Sequence, residues 1–476
     1  MYDRMQTFSK EELSKLHDSS LKILQDIGIA FHDSDAIEIF KKNGFKVDGK
    51  KIKFTEKDVI KALETTPSNF TISARNPQKN IQIGLDKFIF LPGFGGVFII
   101  SGNGEQRNAT IEDYDNFCKL AQTSKVIDMN SFAIVTPSDV PPDIAHLEML
   151  YSNITLCDMP IMGSAFSKRQ AIDSLEMASI AWGGKDKIRN KPVMFTTMSG
   201  HSPLQWSGDS IGSLIEMAKY GQPCVVRGAG TRGSTMPITL SGSMVVQNAM
   251  ALAALILAQL VNPGTPIVYG GAPVPSNMKN ASVAPGLPEY SMSISAVAQM
   301  ARFYNLPSRE NGAVTDAHIP DYQAGMESAL LLSTCVRNGI NINLTSCGLL
   351  SSFMAASFEK YVLDEELCGI VRQLVKKVEV TDESIALDEI KDVGIGGEYL
   401  ATHRTVQKCR TEFYMRDVMN EKGYDEWKAS GKKSIDNVAE AQSLCVRVVV
   451  ASIEQKSLQF DRAIERLHDN RIFTGV

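Results

Sequence analysis

Residues 160–198 read PIMGSAFSKRQAIDSLEMASIAWGGKDKIRNKPVMFTTM and contain two short apolar runs separated by a helical stretch. The helical stretch, residues 167–182, ends at Gly183, a residue type that commonly terminates helices. Short apolar runs that flank a helix are typical of parallel strands joined by a right-handed crossover. The stretch therefore predicts one strand–helix–strand unit of an α/β protein.

The same alternation continues on both sides of this unit and gives eight apolar runs in all. They are residues 88–91, 127–136, 160–164, 193–198, 224–228, 266–270, 308–315 and 340–347. Because each run is short and reads as buried on both faces, we expect the eight units to close into a (β/α)8 TIM barrel. An open doubly wound sheet is the alternative. The predicted domains are an N-terminal cap of helices and short strands (1–85), the catalytic barrel (86–380) and a C-terminal helical extension packed on the barrel (381–476).

Composition limits the class of protein. The 476 residues are 43% hydrophobic and 22% charged, which is enough apolar material for a large core. The net charge of -5 and the pI near 5.9 give no electrostatic basis for binding nucleic acid or an anionic membrane. The N-terminus lacks a secretory pattern, so we expect a cytoplasmic protein. Polar residues interrupt the apolar stretch 238–261, which therefore reads as a buried barrel helix.

The cysteines and histidines do not form a metal-binding pattern. The cysteines stand at positions 118, 157, 224, 335, 347, 368, 409 and 445, without a CxxC pair. We expect reduced thiols and no bound metal. A zinc site built from Cys347, His201 and His318 is the alternative, because these residues follow predicted strands.

A GxGxxG pattern follows the fifth predicted strand at Gly228, Gly230 and Gly233. A dinucleotide-binding loop would continue directly into a helix and have an acidic residue about 20 positions later. Here Pro237 interrupts the pattern, and residues 245–255 contain no Asp or Glu. The glycines are better explained as a loop that lets a ligand or partner come close to the backbone.

Four long stretches closely resemble the trimethylamine methyltransferase family. They are EELSKLHDSSLKILQDIGI (11–29), QLVNPGTPIVYGGAP (259–273), LPEYSMSISAVAQMARFYNLPSRENGAVTDAHIPDYQAGMESALLL (287–332) and FEKYVLDEELCGIVRQLVKKVEV (358–380). The family's founding members carry pyrrolysine and demethylate trimethylamine, whereas this chain contains only standard residues. Members without pyrrolysine resemble enzymes that demethylate glycine betaine, proline betaine or carnitine.

This resemblance implies methyl transfer from a quaternary amine, glycine betaine first, to the Co(I) of a corrinoid (cobalamin) carried by a partner protein. The tertiary amine is released, which for glycine betaine is dimethylglycine. Because Co(I) is a strong nucleophile and the leaving amine is neutral, neither a general acid nor a metal is required. The enzyme would act by aligning nitrogen, methyl carbon and cobalt. We also expect a homo-oligomer.

A betaine needs aromatic or acidic groups around its cation and cationic groups at its carboxylate. The loops after the predicted strands offer such residues: Phe94, Trp206, Phe353, Phe358, Asp316 and Glu289 for the cation, and His318, Arg309, Arg227 and His201 for the carboxylate. Glycines that would admit the corrinoid are Gly93, Gly95, Gly228, Gly230, Gly270 and Gly271. Structural roles stay open: the two phenylalanines after residue 350 would cover the barrel mouth, Glu289 would favour a helix N-terminus, and Arg309 would pair with Glu310.

Two other functions remain compatible with these residues. One is a metal-independent barrel hydrolase or lyase that acts on a small carboxylate, with Asp316 and Glu289 as acid and base. The other is a betaine-binding protein without catalysis. Turnover without a corrinoid protein would favour the first, and binding without methylation of cob(I)alamin would favour the second.

Overall fold

The computed structural model describes residues 4–431 together with Ala441 and Leu444. The strands are β1 (Ile29–Phe31), β2 (Val47–Asp48), β3 (Lys51–Ile52), β4 (Asn69–Ile72), β5 (Ile81–Gly84), β6 (Ile89–Phe90), β7 (Phe98–Ile100), β8 (Gln106–Asn108), β9 (Ile161–Met162), β10 (Met194–Ser199), β11 (Gln205–Trp206), β12 (Cys224–Arg227), β13 (Thr231–Arg232), β14 (Ile267–Gly270), β15 (Val274–Asn277), β16 (Ser282–Val283), β17 (Ser308–Asn311), β18 (Ile342–Leu344), β19 (Leu349–Leu350) and β20 (Ala355–Ala356).

The α-helices alternate with these strands through the middle of the chain. They are α1 (Lys10–Lys22), α2 (Ser34–Lys42), α3 (Glu56–Thr65), α4 (Ile111–Thr123), α5 (Ala145–Leu156), α6 (Lys168–Trp182), α7 (Lys185–Ile188), α8 (Gly208–Lys219), α9 (Leu240–Val261), α10 (Pro288–Phe303), α11 (Tyr322–Arg337), α12 (Phe358–Leu374), α13 (Asp382–Ile385), α14 (Leu387–Val393), α15 (His403–Glu412) and α16 (Tyr424–Ala429). The predicted final helix, residues 434–467, lies outside the described residues except for Ala441 and Leu444.

Seven strands form a parallel sheet in the order β6-β18-β17-β14-β12-β10-β9. Each belongs to one of the eight predicted apolar runs, and each adjacent pair in the sheet is parallel. Helices α6, α8, α9, α10 and α11 connect successive strands, as the crossover rule requires. The middle of the chain is therefore an α/β unit with helices packed on a parallel sheet.

The remaining predicted run, residues 127–136, lies between the two edges of this sheet without forming a regular strand. The Asp128 backbone N–H donates to the Phe90 carbonyl (3.1 Å), and the Asn130 N–H donates to the Pro160 carbonyl (3.4 Å). The ladder is interrupted because the Asp128 carboxylate, instead of a carbonyl, accepts the Phe90 N–H at 2.8 Å. The same carboxylate pairs with Arg372.

Residues 4–84, called here the N-terminal unit, contain α1 to α3 and β1 to β5 and contact the rest of the chain through β11. Helix α1 begins at a capping box in which Ser9 and Glu12 satisfy each other's backbone N–H groups. Strand β1 pairs antiparallel with β3 and parallel with β11, where Ala30 lies opposite Gln205. Because β11 follows β10 along the chain, this pairing fixes the N-terminal unit next to β10 of the parallel sheet.

Helix α9 is the most apolar helix in the described chain. It is long and apolar enough to cross a membrane by length and composition, but 78% of its most apolar window is buried inside the protein. One such helix is weak evidence for a membrane span, because core helices have the same composition. Its burial agrees with the prediction of a buried helix.

A buried polar network joins α9 to the N-terminal unit. The Asn248 amide donates to Ser20 Oγ (2.9 Å) and Tyr304 Oη (2.8 Å), and its carbonyl accepts from Tyr269 Oη (3.0 Å). His17 Nδ1 contacts the same Tyr304 hydroxyl at 2.8 Å. Buried groups of this kind destabilise the fold when one partner is removed, because the others lose hydrogen bonds that water cannot replace.

We therefore expect Asn248→Leu to lower the free energy of unfolding by roughly 2–4 kcal/mol, since three hydroxyl groups lose a partner. Urea denaturation of the purified variant measures the effect. Gln78→Leu, at an exposed amide, is the matched control and should change stability by less than about 0.5 kcal/mol. Equal stability of the two variants would show that the network does not contribute.

The C-terminal mouth of the sheet is covered by two small sheets. One has the order β13-β15-β16 and follows β12 and β14. The other has the order β19-β20-β7-β8 and joins segments that follow β18 and β6. Beyond α12 the described chain has four short helices, and the Glu366 carboxylate anchors this region by accepting the Val418 N–H at 2.8 Å.

Candidate functional site

Strand β17 has the sequence Ser-Arg-Glu-Asn, and all four residues are buried. Buried parallel strands are ordinarily apolar, so a polar strand in the middle of the sheet is unfavourable for folding alone. It lies between β14 and β18, near the centre of the seven strands. Such a strand indicates a site whose polar groups serve a purpose other than packing.

A cavity of about 330 Å³ opens at the carboxyl ends of β12, β14 and β17. Parallel α/β folds bind their ligands at this end of the sheet. The cavity is lined by Phe94, Gly95, Arg227, Ala229, Gly230, Thr231, Gly271, Ala272, Val274, Arg309, Asn311 and Phe353. It thus joins four of the predicted substrate contacts, namely Phe94, Arg227, Arg309 and Phe353, to three of the predicted glycines.

Arg309 is a buried cation with free hydrogen-bond donors at this cavity. Its side chain is 2% exposed, and Nη2 donates to Asn311 Oδ1 at 2.9 Å. Within the described chain, its buried Nε and Nη1 atoms have no hydrogen-bond partner. Burial lowers the pKa of Arg309 to about 10, with a smaller effect from the charge of Arg227, so the guanidinium stays protonated at neutral pH. Unused donors on a buried guanidinium suit a planar anion such as a carboxylate.

Arg227 brings a second guanidinium to the same wall. Its Nε donates to Ser199 Oγ at 2.7 Å, and burial lowers its pKa. Gly271 permits this position, since a Cβ on Gly271 would lie 2.4 Å from the Arg227 Cβ and the glycine φ is +95°. A residue with a side chain at 271 would displace the arginine.

Glu310 lies beside the two arginines and holds the loop after β14. Its Oε1 accepts the backbone N–H groups of Gly271 and Ala272, both at 2.8 Å. Burial raises the pKa of Glu310, whereas Arg309 acts in the opposite direction. Among the described residues, its buried Oε2 has no hydrogen-bond partner. Glu310 therefore lies near two guanidinium groups and fixes the cavity backbone.

Phe94 and Phe353 supply aromatic surface to the cavity. The Phe94 ring lies 5.9 Å from that of Phe166, which is itself 58% exposed at the mouth. Gly95 stands opposite the Phe353 carbonyl, which lies 3.8 Å from where a Cβ would be. A cation held against these rings would gain cation–π stabilisation. The cavity thus has both chemical surfaces that a betaine requires.

The other predicted substrate contacts lie elsewhere in the described chain. His318 is exposed and shares a hydrogen bond with Ser351 Oγ (2.8 Å), while Asp316 accepts hydrogen bonds from Ser352 and Gly286. Glu289 lines a separate surface cavity beside Arg232. Their roles in substrate binding stay predictions.

Three further predicted residues stand in turns and packing positions. Trp206 is fully buried and donates to the Met250 carbonyl at 3.2 Å. Phe358 stacks on Phe117 with ring centroids 4.2 Å apart. His201 is exposed in the turn before β11.

The glycines divide into two groups. Gly95, Gly230 and Gly271 line the cavity. The others have close neighbours within the protein: Gly93 adjoins Leu349, Gly228 adjoins the α9 backbone at Gln247, and Gly270 adjoins the Arg309 carbonyl. The GxGxxG segment contains β13, and α9 begins only at Leu240, so the segment lacks the helix of a dinucleotide-binding loop.

The residues considered for zinc are not assembled in the structure. Cys347 is buried with its sulfur 3.8 Å from that of Cys368, whereas His201 and His318 are exposed. No group of three or more His, Cys, Asp or Glu side chains suited to a metal occurs in the described part of the chain. The seven described cysteines are free thiols, and Cys445 lies outside the described residues.

Sequence reasoning treated Glu310 only as a partner of Arg309, and it missed five cavity residues: Ala229, Thr231, Ala272, Val274 and Asn311. The polar run 308–311 within a buried strand was the available signal for Asn311. Thr231 and Val274 lie opposite each other in the parallel pair β13–β15. Such short strands leave no periodic pattern in the sequence, so their register becomes visible only in the fold.

Comparison with known proteins identifies relatives over most of the chain. The family model described as trimethylamine methyltransferase (MTTB) matches residues 1–469. A glycine betaine methyltransferase from Desulfitobacterium hafniense is 39% identical over 419 residues, which cover 88% of each chain. A proline betaine:corrinoid methyltransferase from Eubacterium limosum is 31% identical and covers 87% of this chain and 86% of its own.

A solved structure supports the fold. The monomethylamine methyltransferase of Methanosarcina barkeri superposes with a TM-score of 0.54 at 10% sequence identity, over 92% of this chain and 88% of that one. At this identity the likeness concerns the fold alone.

Proposed function

The chain belongs to the trimethylamine methyltransferase family, and from this premise we propose that it demethylates a carboxylate-bearing quaternary amine, glycine betaine first. The methyl acceptor is the Co(I) of a corrinoid carried by a partner protein. The cobalt electron pair forms the new bond to carbon, and the nitrogen keeps the electrons of the broken C–N bond. Dimethylglycine leaves with its amine uncharged. Proline betaine and carnitine are the next candidate substrates.

The observation that carries this proposal is that Nε and Nη1 of Arg309 have no hydrogen-bond partner among the residues that the structure describes. A betaine carboxylate would use these donors, and the second guanidinium of Arg227 adds positive charge on the same wall. Phe94 and Phe353 would contact the methylated cation. Trimethylamine and choline have no carboxylate, so they would leave the buried guanidinium unsatisfied.

In this reaction the protein mainly has to position the substrate. A neutral leaving group needs no proton, and the acceptor is itself the nucleophile. What the cavity residues supply is a fixed orientation that aims one methyl group at the mouth and excludes water from the reacting atoms. The predicted absence of a bound metal and the predicted homo-oligomer stay predictions.

The decisive assay is the methylation of cob(I)alamin, followed by absorbance, with a panel of amines. Glycine betaine, proline betaine and carnitine carry the carboxylate; choline and trimethylamine are the matched compounds without it. We expect turnover only with members of the first group, accompanied by release of the tertiary amine. Failure of every compound would exclude methyl transfer, and binding without transfer would favour a betaine-binding protein.

The geometry gives little support to a hydrolase that uses Asp316 and Glu289. The Asp316 carboxylate is engaged by Ser352 (2.6 Å) and by the Gly286 backbone (3.0 Å). Glu289 lines a different cavity. Turnover of a small carboxylate without any corrinoid would be needed to revive that alternative.

We further propose that residues 127–136 provide the eighth wall of a closed (β/α)8 barrel. Their hydrogen bonds to the segments on both edges of the sheet support this interpretation. In the same proposal, residues 1–85, 86–380 and 381–476 are the cap, the barrel and the C-terminal extension. The corrinoid domain would then dock at the C-terminal mouth, where the substrate cavity opens.

Exposed apolar side chains around the mouth support this docking face. Four of them follow the strand ends and are at least half exposed: Phe166 (58%), Ile238 (60%), Met278 (69%) and Met354 (51%). Exposed apolar and methionine side chains are common in protein interfaces. Gly230 is a poor probe of docking, because a side chain there would fill the substrate cavity and meet Met236 at 2.6 Å.

Met278→Asp is therefore the sharper test of docking. We expect the KM for the corrinoid protein to rise about 10-fold, because a charge replaces an interface methionine at a cost of roughly 1.4 kcal/mol. Transfer to free cob(I)alamin should be unchanged. If methyl transfer to the corrinoid protein and to free cob(I)alamin fell equally, or if neither fell, the docking face would lie elsewhere.

A further inference from the structure

The connection between β19 and β20 has an unusual backbone. Ser351, Ser352 and Phe353 have φ angles of 53°, 52° and 80°, so three consecutive residues other than glycine are left-handed. Side chains rarely tolerate this conformation, and single residues adopt it far more readily than runs do. Such a turn persists only where its surroundings hold it, and backbone strain of this kind gathers at ligand sites.

The loop after β17 supplies the contacts that hold the turn. Ser352 Oγ donates to Asp316 Oδ1 at 2.6 Å. The backbone N–H groups of Ser351 and Ser352 donate to the carbonyls of Ala317 (2.8 Å) and Thr315 (2.9 Å). The loop itself is fixed by Glu327, whose Oε2 accepts from Thr315 Oγ1 (2.6 Å) and the Asp316 N–H (2.8 Å).

The turn directs Phe353 to the substrate cavity. Phe353 lines the cavity together with Phe94 and the two arginines, whereas Asp316, Ser351 and Ser352 do not line it. Asp316 thus does not line the cavity and is connected to it through Ser352 and the backbone of Phe353.

We propose that Asp316 is a positioning residue: through Ser352 it holds the left-handed turn and so keeps the Phe353 ring against the methylated cation of the substrate. This inference rests on the proposed function, because it requires a cation in the cavity. In this role Asp316 positions the Phe353 ring and so affects which cations bind. It neither contacts the substrate directly nor acts as an acid or base.

The test compares three variants in the glycine betaine assay. Asp316→Ala, Ser352→Ala and Phe353→Ala should each raise KM about 5–10-fold and change kcat less than about 2-fold, as expected for a lost cation–π contact. The double variant Asp316→Ala/Phe353→Ala should have the KM of Phe353→Ala alone, because Asp316 acts through that ring. Effects that multiply in the double variant would overturn the proposal.

A glycine substitution at Ser352 distinguishes the effect of the left-handed turn from the effect of the Ser352 hydroxyl group. Ser352→Gly removes the hydrogen bond to Asp316 but also removes the Cβ that disfavours positive φ, so the turn should persist and KM should stay within about 2-fold of wild type. Ser276→Ala is the matched control, since Ser276 Oγ donates to the Arg232 carbonyl outside the substrate cavity. A KM for Ser352→Gly as high as for Ser352→Ala would overturn the role of the turn.

Two readouts keep this test separate from that of the function. Wild-type turnover decides the function, whereas the KM pattern among active variants decides the positioning role. A crystal structure of Ser352→Ala reads the turn directly. We expect Phe353 to leave its left-handed conformation, and an unchanged turn in that variant would refute the inference even if Asp316→Ala failed to fold.

Discussion

Arg309→Met is expected to raise the KM for glycine betaine about 100-fold or more while kcat stays within a few-fold of wild type. The truncated contact is a charge-assisted hydrogen-bonded pair in a buried site, which is worth about 3 kcal/mol. The carboxylate keeps its charge throughout methyl transfer, so ground state and transition state lose the same stabilisation. Steady-state kinetics with free cob(I)alamin measure both constants.

The controls for this prediction use two other substitutions. Arg309→Lys keeps the charge but loses the planar fork, so an intermediate KM is expected. Arg232→Met removes an arginine that lines the neighbouring cavity and donates to the Ile238 carbonyl at 3.2 Å. Its KM should be unchanged. Wild-type affinity in Arg309→Met would remove the carboxylate site from this cavity.

The same variant should be more stable than the wild-type protein without substrate. Arg309 is a buried charge with unused donors, and burial lowers its pKa, so folding has to desolvate it without full compensation. Methionine fills similar space without that cost. A higher Tm combined with weaker substrate binding would show that stability is given up for binding at this position.

Lys360→Met is expected to lower the free energy of unfolding by about 3–5 kcal/mol, because the Asp364 carboxylate is then left buried without its cation. Lys360 and Asp364 are 2% and 3% exposed, and Lys360 Nζ lies 2.5 Å from Asp364 Oδ2 and 2.8 Å from Ser328 Oγ. Both members of the pair lie in α12, and the hydrogen bond from Lys360 to Ser328 links this helix to α11. Chemical denaturation of the purified variant gives the magnitude.

Two matched variants test the electrostatic explanation. Replacing both members, as Lys360→Met with Asp364→Leu, removes the uncompensated charge and should recover most of the lost stability. Lys185→Met breaks the pair with Glu176, whose side chains are 53% and 41% exposed, and should cost less than about 1 kcal/mol. A double variant as unstable as Lys360→Met alone would mean that packing, not charge, is responsible.

The sequence was informative where local pattern determines structure. The apolar runs predicted all seven strands of the parallel sheet because a buried strand needs a short apolar run whatever its neighbours are. The structure brings the predicted residues Arg309, Arg227, Phe94 and Phe353 to one cavity, because the carboxyl ends of parallel strands converge at one edge. Residues 127–136, the second predicted run, lie between the segments around Phe90 and Pro160, as the order of the runs predicts. Their sequence does not show that the Asp128 carboxylate interrupts the hydrogen-bond ladder.

The remaining site residues depended on contacts between distant segments. Trp206 follows a strand, as residues that bind ligands often do. In the structure it packs against α9, which begins at Leu240, and the sequence near residue 206 does not predict this contact. Asp316 and Ser352 are 36 positions apart, so their hydrogen bond is invisible in the sequence. The left-handed turn contains no glycine, and turn chemistry therefore gave no warning of it.

The pairing of β1 with β11 has a consequence for biosynthesis. Ala30 leaves the ribosome about 175 residues before its partner Gln205, which at about 5–20 residues per second takes roughly 10–35 s. Throughout that interval β1 has β3 on one side, but its other edge has no partner strand. The nascent chain therefore exposes an unpaired strand edge until β10 and β11 have emerged, and slower initiation or chaperone supply during this interval should raise the yield of folded protein.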